Sequence, residues 1–153
     1  MNPVPVIGTE APDFSLQSTS GQRVTLSGLR ARNVLLAFFP LAFTSTCTAE
    51  LCDMRDEWDR FGTTDTLVVP ISVDSVDTLR EYKAKHGFQA DFLSDFKREV
   101  SRLYGVLLEE RFFANRSYFL IDKAGIIRWE HVERTPGEKR TNAELFAAIQ
   151  SIA

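Results

Sequence analysis

The chain has 153 residues, a net charge of −3, 44% hydrophobic and 25% charged residues, two cysteines and two histidines. These values suit one soluble globular domain, residues 1–153, with mass enough for a real core. No basic cluster points to nucleic acid or an anionic membrane, and the longest apolar run, Val34–Phe43, is far too short to span a bilayer.

The first segment, Met1-Asn2-Pro3-Val4-Pro5, lacks the charged and apolar regions of a signal peptide, so a cytoplasmic location is expected. In that compartment Cys47 and Cys52 are expected to be reactive or buried rather than a static staple. Neither His86 nor His131 belongs to a cluster with metal-ligand spacing, so no metal and no other cofactor is expected.

In chain order, Asp13–Gln17 and Gln22–Leu26 read as short strands around a turn at Ser18–Gly21. Asn33–Phe39 reads as a buried strand. The segment after it carries Leu51, Met54, Trp58 and Phe61 at offsets of a helical face, which predicts one amphipathic helix. Leu67–Val73 reads as a second buried strand, although Pro70 argues against a fully paired position. A helix is expected from Ser75 to about His86, a short extended piece at Asp91–Asp95 and a brief helix from Arg98 to Tyr104. Arg116–Asp122 and Ile126–Glu130, joined by Lys123-Ala124-Gly125, predict a hairpin. Thr141–Ile152 predicts a closing helix with Leu145, Ala148, Ile149 and Ile152 inward. The alternation argues for an α/β protein with a mixed central sheet flanked by helices, parallel first and antiparallel last.

Pro40-Leu41-Ala42-Phe43-Thr44-Ser45-Thr46-Cys47 lies where the first buried strand hands over to a helix. A thiol there meets unpaired backbone N–H groups and the positive end of the helix dipole, both of which favour thiolate over thiol. Thiolate is the nucleophilic form, so Cys47 is a candidate reactive residue. It also lies four residues before Leu51, on the inward stripe, where an inert packing cysteine would sit equally well.

Pro40-x-x-x-Thr44-x-x-Cys47 resembles the active-site motif of peroxiredoxins. Ile71-Ser72-Val73-Asp74 is similar to that family's second core strand, and Arg116–Arg128 to its arginine-bearing hairpin. Ala11-Pro12-Asp13-Phe14 also fits. Phe38–Thr44 and Phe113–Arg116 are most similar to the alkyl hydroperoxide reductase E subgroup.

The resemblance implies a thioredoxin-like fold with an N-terminal hairpin extension, and reduction of hydrogen peroxide and organic hydroperoxides by a cysteine. It makes Cys47 the peroxidatic residue. Thr44 would reach the thiolate or the peroxide with its hydroxyl, and Pro40 would shield the pocket. Arg116 would favour the thiolate and polarise the O–O bond through a permanent charge and forked donors. Glu50 would orient the arginine.

Cys52 departs from the one-cysteine members of that subgroup and is similar to the resolving cysteine of Q-type (bacterioferritin comigratory protein-like) members. Five residues along a helix separate Cα atoms by roughly 9 Å, beyond the ~7 Å that a disulfide spans. A reduced protein should therefore show a continuous helix with both thiols free, and a Cys47–Cys52 bond would require that helix to unwind. Cys52 as a half-buried packing residue remains the alternative.

The residues also leave open a disulfide oxidoreductase, although Glu50 stands where a Cys-x-x-Cys motif has its second cysteine, or a non-catalytic thioredoxin-like binding module. The implied reductant is thioredoxin for an intramolecular disulfide, or a low-molecular-weight thiol with a glutaredoxin-like partner for a persistent sulfenic acid. A homodimer is implied by the E subgroup, and often a monomer by Q-type members.

Overall fold

The computed structural model describes residues 3–152. β1 (Ser15–Ser18) and β2 (Arg23–Thr25) form the expected antiparallel hairpin, and a 3-10 turn at Leu26–Leu29 takes the end of the second predicted piece. β3 (Asn33–Phe38) is buried from Val34 onward. Covered on both faces, it shows no polar alternation in sequence. Leu35, Ala37 and Phe39 point into one core layer, and Val34, Leu36 and Phe38 into the other.

The predicted single helix after β3 is two: α1 (Ser45–Asp56) and α2 (Trp58–Gly62), parted at Glu57, whose φ of −114° and ψ of 23° leave the helical range. The Asn142 amide donates to the Asp53 carbonyl at 2.9 Å and bonds the Glu57 carboxylate. The Asp53 carbonyl is the one a continuing helix would offer to Glu57, so an inserted side chain accounts for the break. The apolar stripe survives: Leu51, Met54 and Phe61 are buried and Trp58 packs at the edge.

β4 (Thr66–Ser72) runs parallel to β3, with Pro70 opposite Ala37. The Ile71 carbonyl accepts from the Phe39 N–H at 2.9 Å, so the polar groups of Pro70 face the other side. On that side β5 (Leu93–Ser94) begins pairing only at Ile71. The missing N–H therefore falls on an unpaired stretch of strand, which resolves the tension at Pro70. Between them α3 (Val76–His86) starts on Ser75, whose hydroxyl accepts from the Thr78 N–H, and stops on Gly87 at φ 65°. A left-handed end of that kind suits glycine.

α4 (Glu99–Leu103) follows, and then two strands absent from the sequence reading, β6 (Leu107–Leu108) and β7 (Phe113–Ala114), which pair with each other. Two-residue strands are too short to show a period. β8 (Ser117–Ile121) lies antiparallel to β3, and β9 (Ile127–Val132) closes the sheet, in the order β2-β1-β5-β4-β3-β8-β9. α5 (Asn142–Gln150) is held by a capping box between Thr141 and Glu144 and buries Leu145, Ala148 and Ile149. α1, α3 and α5 cover the face that receives Phe39, Tyr118 and Leu120, and Tyr104 packs on the opposite face with Phe38 and Phe119. No helix among the described residues is long and apolar enough to cross a membrane.

Candidate active site

Chain leaving β3 passes through buried Pro40 and turns at Phe43, whose φ is 66°. The Asp74 carboxylate accepts from the Ala42 N–H at 2.8 Å and from the Ser72 hydroxyl at 2.7 Å, tying this loop to the end of β4. Thr44 stands in extended conformation as the residue before α1, which sets Cys47 in the first turn of the helix. Cys47 is 1% exposed.

The motif leads one to expect the Thr44 hydroxyl at the thiolate or at the bound peroxide. In the structure it donates to the Leu41 carbonyl at 2.8 Å and makes no cap bond to α1, closing the loop upon itself. Thr44 is thus exposed at the loop beside the buried cysteine rather than bonded to it.

Arg116 comes from the residue before β8, 69 positions away in sequence, and is 1% exposed. Its Nη2 donates to the Cys47 Sγ at 2.9 Å and its Nη1 to Glu50 Oε1 at 3.0 Å. Nε and Nη2 also donate to the Pro136 carbonyl, at 3.3 and 3.1 Å. Burial works against the Arg116 charge, but Glu50 and Cys47 outweigh it and hold the guanidinium protonated beyond its usual range. The Glu50 carboxyl is pushed upward by its own burial, against the pull of Arg116 and the Tyr118 hydroxyl. A guanidinium with each polar edge occupied has one orientation, and that orientation aims a charged donor at sulfur.

Four of the predicted residues, Pro40, Cys47, Glu50 and Arg116, are buried together at this end of the sheet, and Thr44 lies at its loop. Cys52 lies five residues on within the unbroken α1, half-buried against the core, and both cysteines are free. This is the separated, helical arrangement expected for reduced protein.

Two parts of the site were not anticipated. Tyr118 donates its hydroxyl to Glu50 Oε2 and accepts from the Arg140 N–H at 3.0 Å. A signal existed: Tyr118 follows Arg116 by two residues, and a strand puts such pairs on one face. The second part is the 133–140 segment that carries Pro136. Arg140 grips buried Glu133 with two donors, Nε to Oε2 at 2.9 Å and Nη2 to Oε1 at 3.1 Å, while the Glu133 N–H returns to the Arg116 carbonyl at 3.0 Å. A backbone carbonyl such as that of Pro136 leaves no trace in side-chain patterns.

A buried cysteine at a helix start, with a buried arginine donating to its sulfur, is an arrangement that favours the reactive thiolate. The chain matches the AhpC/TSA family over residues 7–130. It is 44% identical over 137 residues to alkyl hydroperoxide reductase E of Mycobacterium tuberculosis, covering 88% of this chain and 89% of that protein. It is 33% identical over 135 residues to peroxiredoxin Bcp of Bacillus subtilis, covering 83% and 86%. The crystal structure of reduced 2-Cys peroxiredoxin from Plasmodium vivax superposes with a TM-score of 0.88 at 28% identity, over 97% of this chain and 82% of that one. The chain belongs to the AhpC/TSA family. It is a peroxiredoxin with a thioredoxin-like fold, a thiol-dependent peroxidase.

Proposed function

We propose that Cys47 is the peroxidatic residue and that the chain reduces hydrogen peroxide and organic hydroperoxides. The observation that carries this is the 2.9 Å approach of Arg116 Nη2 to the Cys47 sulfur, both residues being 1% exposed. The Cys47 thiolate attacks the terminal oxygen of the peroxide. An S–O bond forms, the O–O bond breaks, and the departing oxygen takes a proton and leaves as water or an alcohol. Cys47 is left as a sulfenic acid. Arg116 stabilises charge moving from sulfur to the leaving oxygen. Glu50, held by Tyr118, keeps Arg116 in register. Pro40, which has no N–H, keeps water from the sulfur, and the Thr44 hydroxyl, on leaving the Leu41 carbonyl, orients the incoming peroxide. Residues 1–153 are proposed to be a single thioredoxin-like domain that carries this site.

Cys52 is the proposed resolving residue. Its thiol attacks the sulfenic sulfur, forming the Cys47–Cys52 disulfide and releasing water, once the first turns of α1 unwind. A thioredoxin-type protein then returns both thiols. If the sulfenic acid persists instead, a low-molecular-weight thiol with a glutaredoxin-like partner takes this part. A homodimer is proposed from the resemblance to the E subgroup.

Thiol titration separates these routes. Reduced protein given one equivalent of hydrogen peroxide without a reductant should lose both of its thiols. Loss of one assigns resolution to an external thiol, and failure to consume peroxide ends the peroxidase proposal.

A further inference from the structure

Tyr82 is left unused by the chemistry above, yet it touches the moving part of the site. It lies on α3, fully buried, with its hydroxyl 2.9 Å from the Thr48 hydroxyl. Thr48 is the residue after Cys47, and its N–H makes the bond to the Thr44 carbonyl that opens α1. The Tyr82 ring also packs on Phe43 at 4.8 Å between centroids, at the turn before the helix. One side chain of α3 therefore holds both the loop that enters α1 and its first turn.

The rest of α1 is tied differently. Arg55 donates to the His86 carbonyl at 2.7 Å, Asn142 to the Asp53 carbonyl at 2.9 Å and Lys139 to the Asp53 carboxylate at 2.7 Å. The start of α1 has no side-chain cap and no acidic residue in its first turn. Its outward side-chain ties are Cys47 to Arg116 and Thr48 to Tyr82. α3 is a firm anchor, capped by Ser75 and Gly87 and buried at Leu79 and Tyr82.

We infer that Tyr82 is a positioning residue whose hydroxyl, through Thr48, holds the first turn of α1 wound while Cys47 reacts, and whose release sets the pace at which Cys52 reaches the oxidised sulfur. The second half rests on the resolving role proposed for Cys52. Oxidation to a sulfenic acid removes the negative charge from Cys47 and weakens its tie to Arg116. The Thr48–Tyr82 bond is then the remaining side-chain tie on the first turn, while Glu50 in the next turn stays bound to Arg116 and Tyr118. Burial, together with the nearby Cys47 and Cys52, outweighs the Thr48 bond and pushes the phenol up to about 12, so the hydroxyl keeps its proton throughout neutral pH.

Tyr82→Phe keeps the ring against Phe43, Phe88 and Phe92 and removes only the hydroxyl. In reduced protein, amides 47–51 of this variant should exchange hydrogen about three- to tenfold faster than in wild type, the worth of one hydrogen bond, with α3 unchanged. After a single equivalent of hydrogen peroxide, the interval between loss of the first and second thiol should shorten by the same factor, while the first step keeps its rate. Thr48→Val should reproduce both effects, and the double variant should go no further. Equal exchange in wild type and Tyr82→Phe overturns the inference, as does a slowed first step. Wild-type protein that keeps one thiol overturns the resolving role of Cys52 alone, because the exchange measurement judges the Tyr82 hold without it.

Discussion

Replacing Cys47 by serine is expected to bring peroxide consumption down to the uncatalysed rate, a loss on the order of the 10⁶-fold that follows removal of an enzyme's nucleophile. A serine hydroxyl at neutral pH lacks the anionic, polarisable character of a thiolate. The fold should tolerate the change. Serine is slightly smaller than cysteine, and its oxygen can still accept from Arg116 Nη2, so that donor keeps a partner. Steady-state peroxide loss with an excess of thiol reductant, beside a thermal melt of each protein, checks both halves. Activity in Cys47→Ser close to wild type would move the chemistry to Cys52 or away from this helix.

Arg116→Met is the second large effect, and it should strike rate and stability together. Preorganised charge at a reacting centre is worth about 10²–10³-fold in rate, so single-turnover peroxide reduction should fall by that order. Stability should also fall, by about 3–5 kcal/mol, because Glu50 is 2% exposed and loses the charge that balances it. The Arg116→Met/Glu50→Gln double variant separates the two. Removing both charges should restore most of the stability and none of the rate. Arg116→Lys keeps a charge but not the fork that reaches Cys47, Glu50 and Pro136 at once, so it should fall between wild type and Met. Stopped-flow measurement of the first oxidation step, with unfolding curves for the same proteins, reads both quantities.

Sequence and structure agree most closely where local chemistry decides the outcome. The apolar run of β3, the handover to α1 at Cys47 and the Arg116 hairpin are each set by neighbouring residues, and all three stand where the spacing puts them. The points that sequence could not supply are set by distant partners. α1 stops at Asp56 because Asn142, 85 residues beyond Glu57, occupies a carbonyl inside the helix ladder. Arg116 is aimed by the Pro136 carbonyl, which a Glu133–Arg140 pair holds in place from outside any helix or strand. The Thr44 hydroxyl turned back to Leu41 depends on the left-handed Phe43 before it, a backbone state that no periodicity encodes. Tyr118 lies between these cases: its strand spacing from Arg116 was visible, but its bond to Glu50 needed α1 and β8 brought together by β3.

The central claim is that the oxygen lands on Cys47. It is tested most directly in the Cys52→Ser protein, where a sulfenic acid has no neighbouring thiol to meet. Reduced Cys52→Ser is given one equivalent of hydrogen peroxide in the presence of dimedone, digested, and read by peptide mass spectrometry. The adduct should appear on the peptide that carries Cys47, in near-stoichiometric yield. Peroxide consumed with no adduct on that peptide, or with the same consumption after Cys47 is also replaced by serine, would contradict the account.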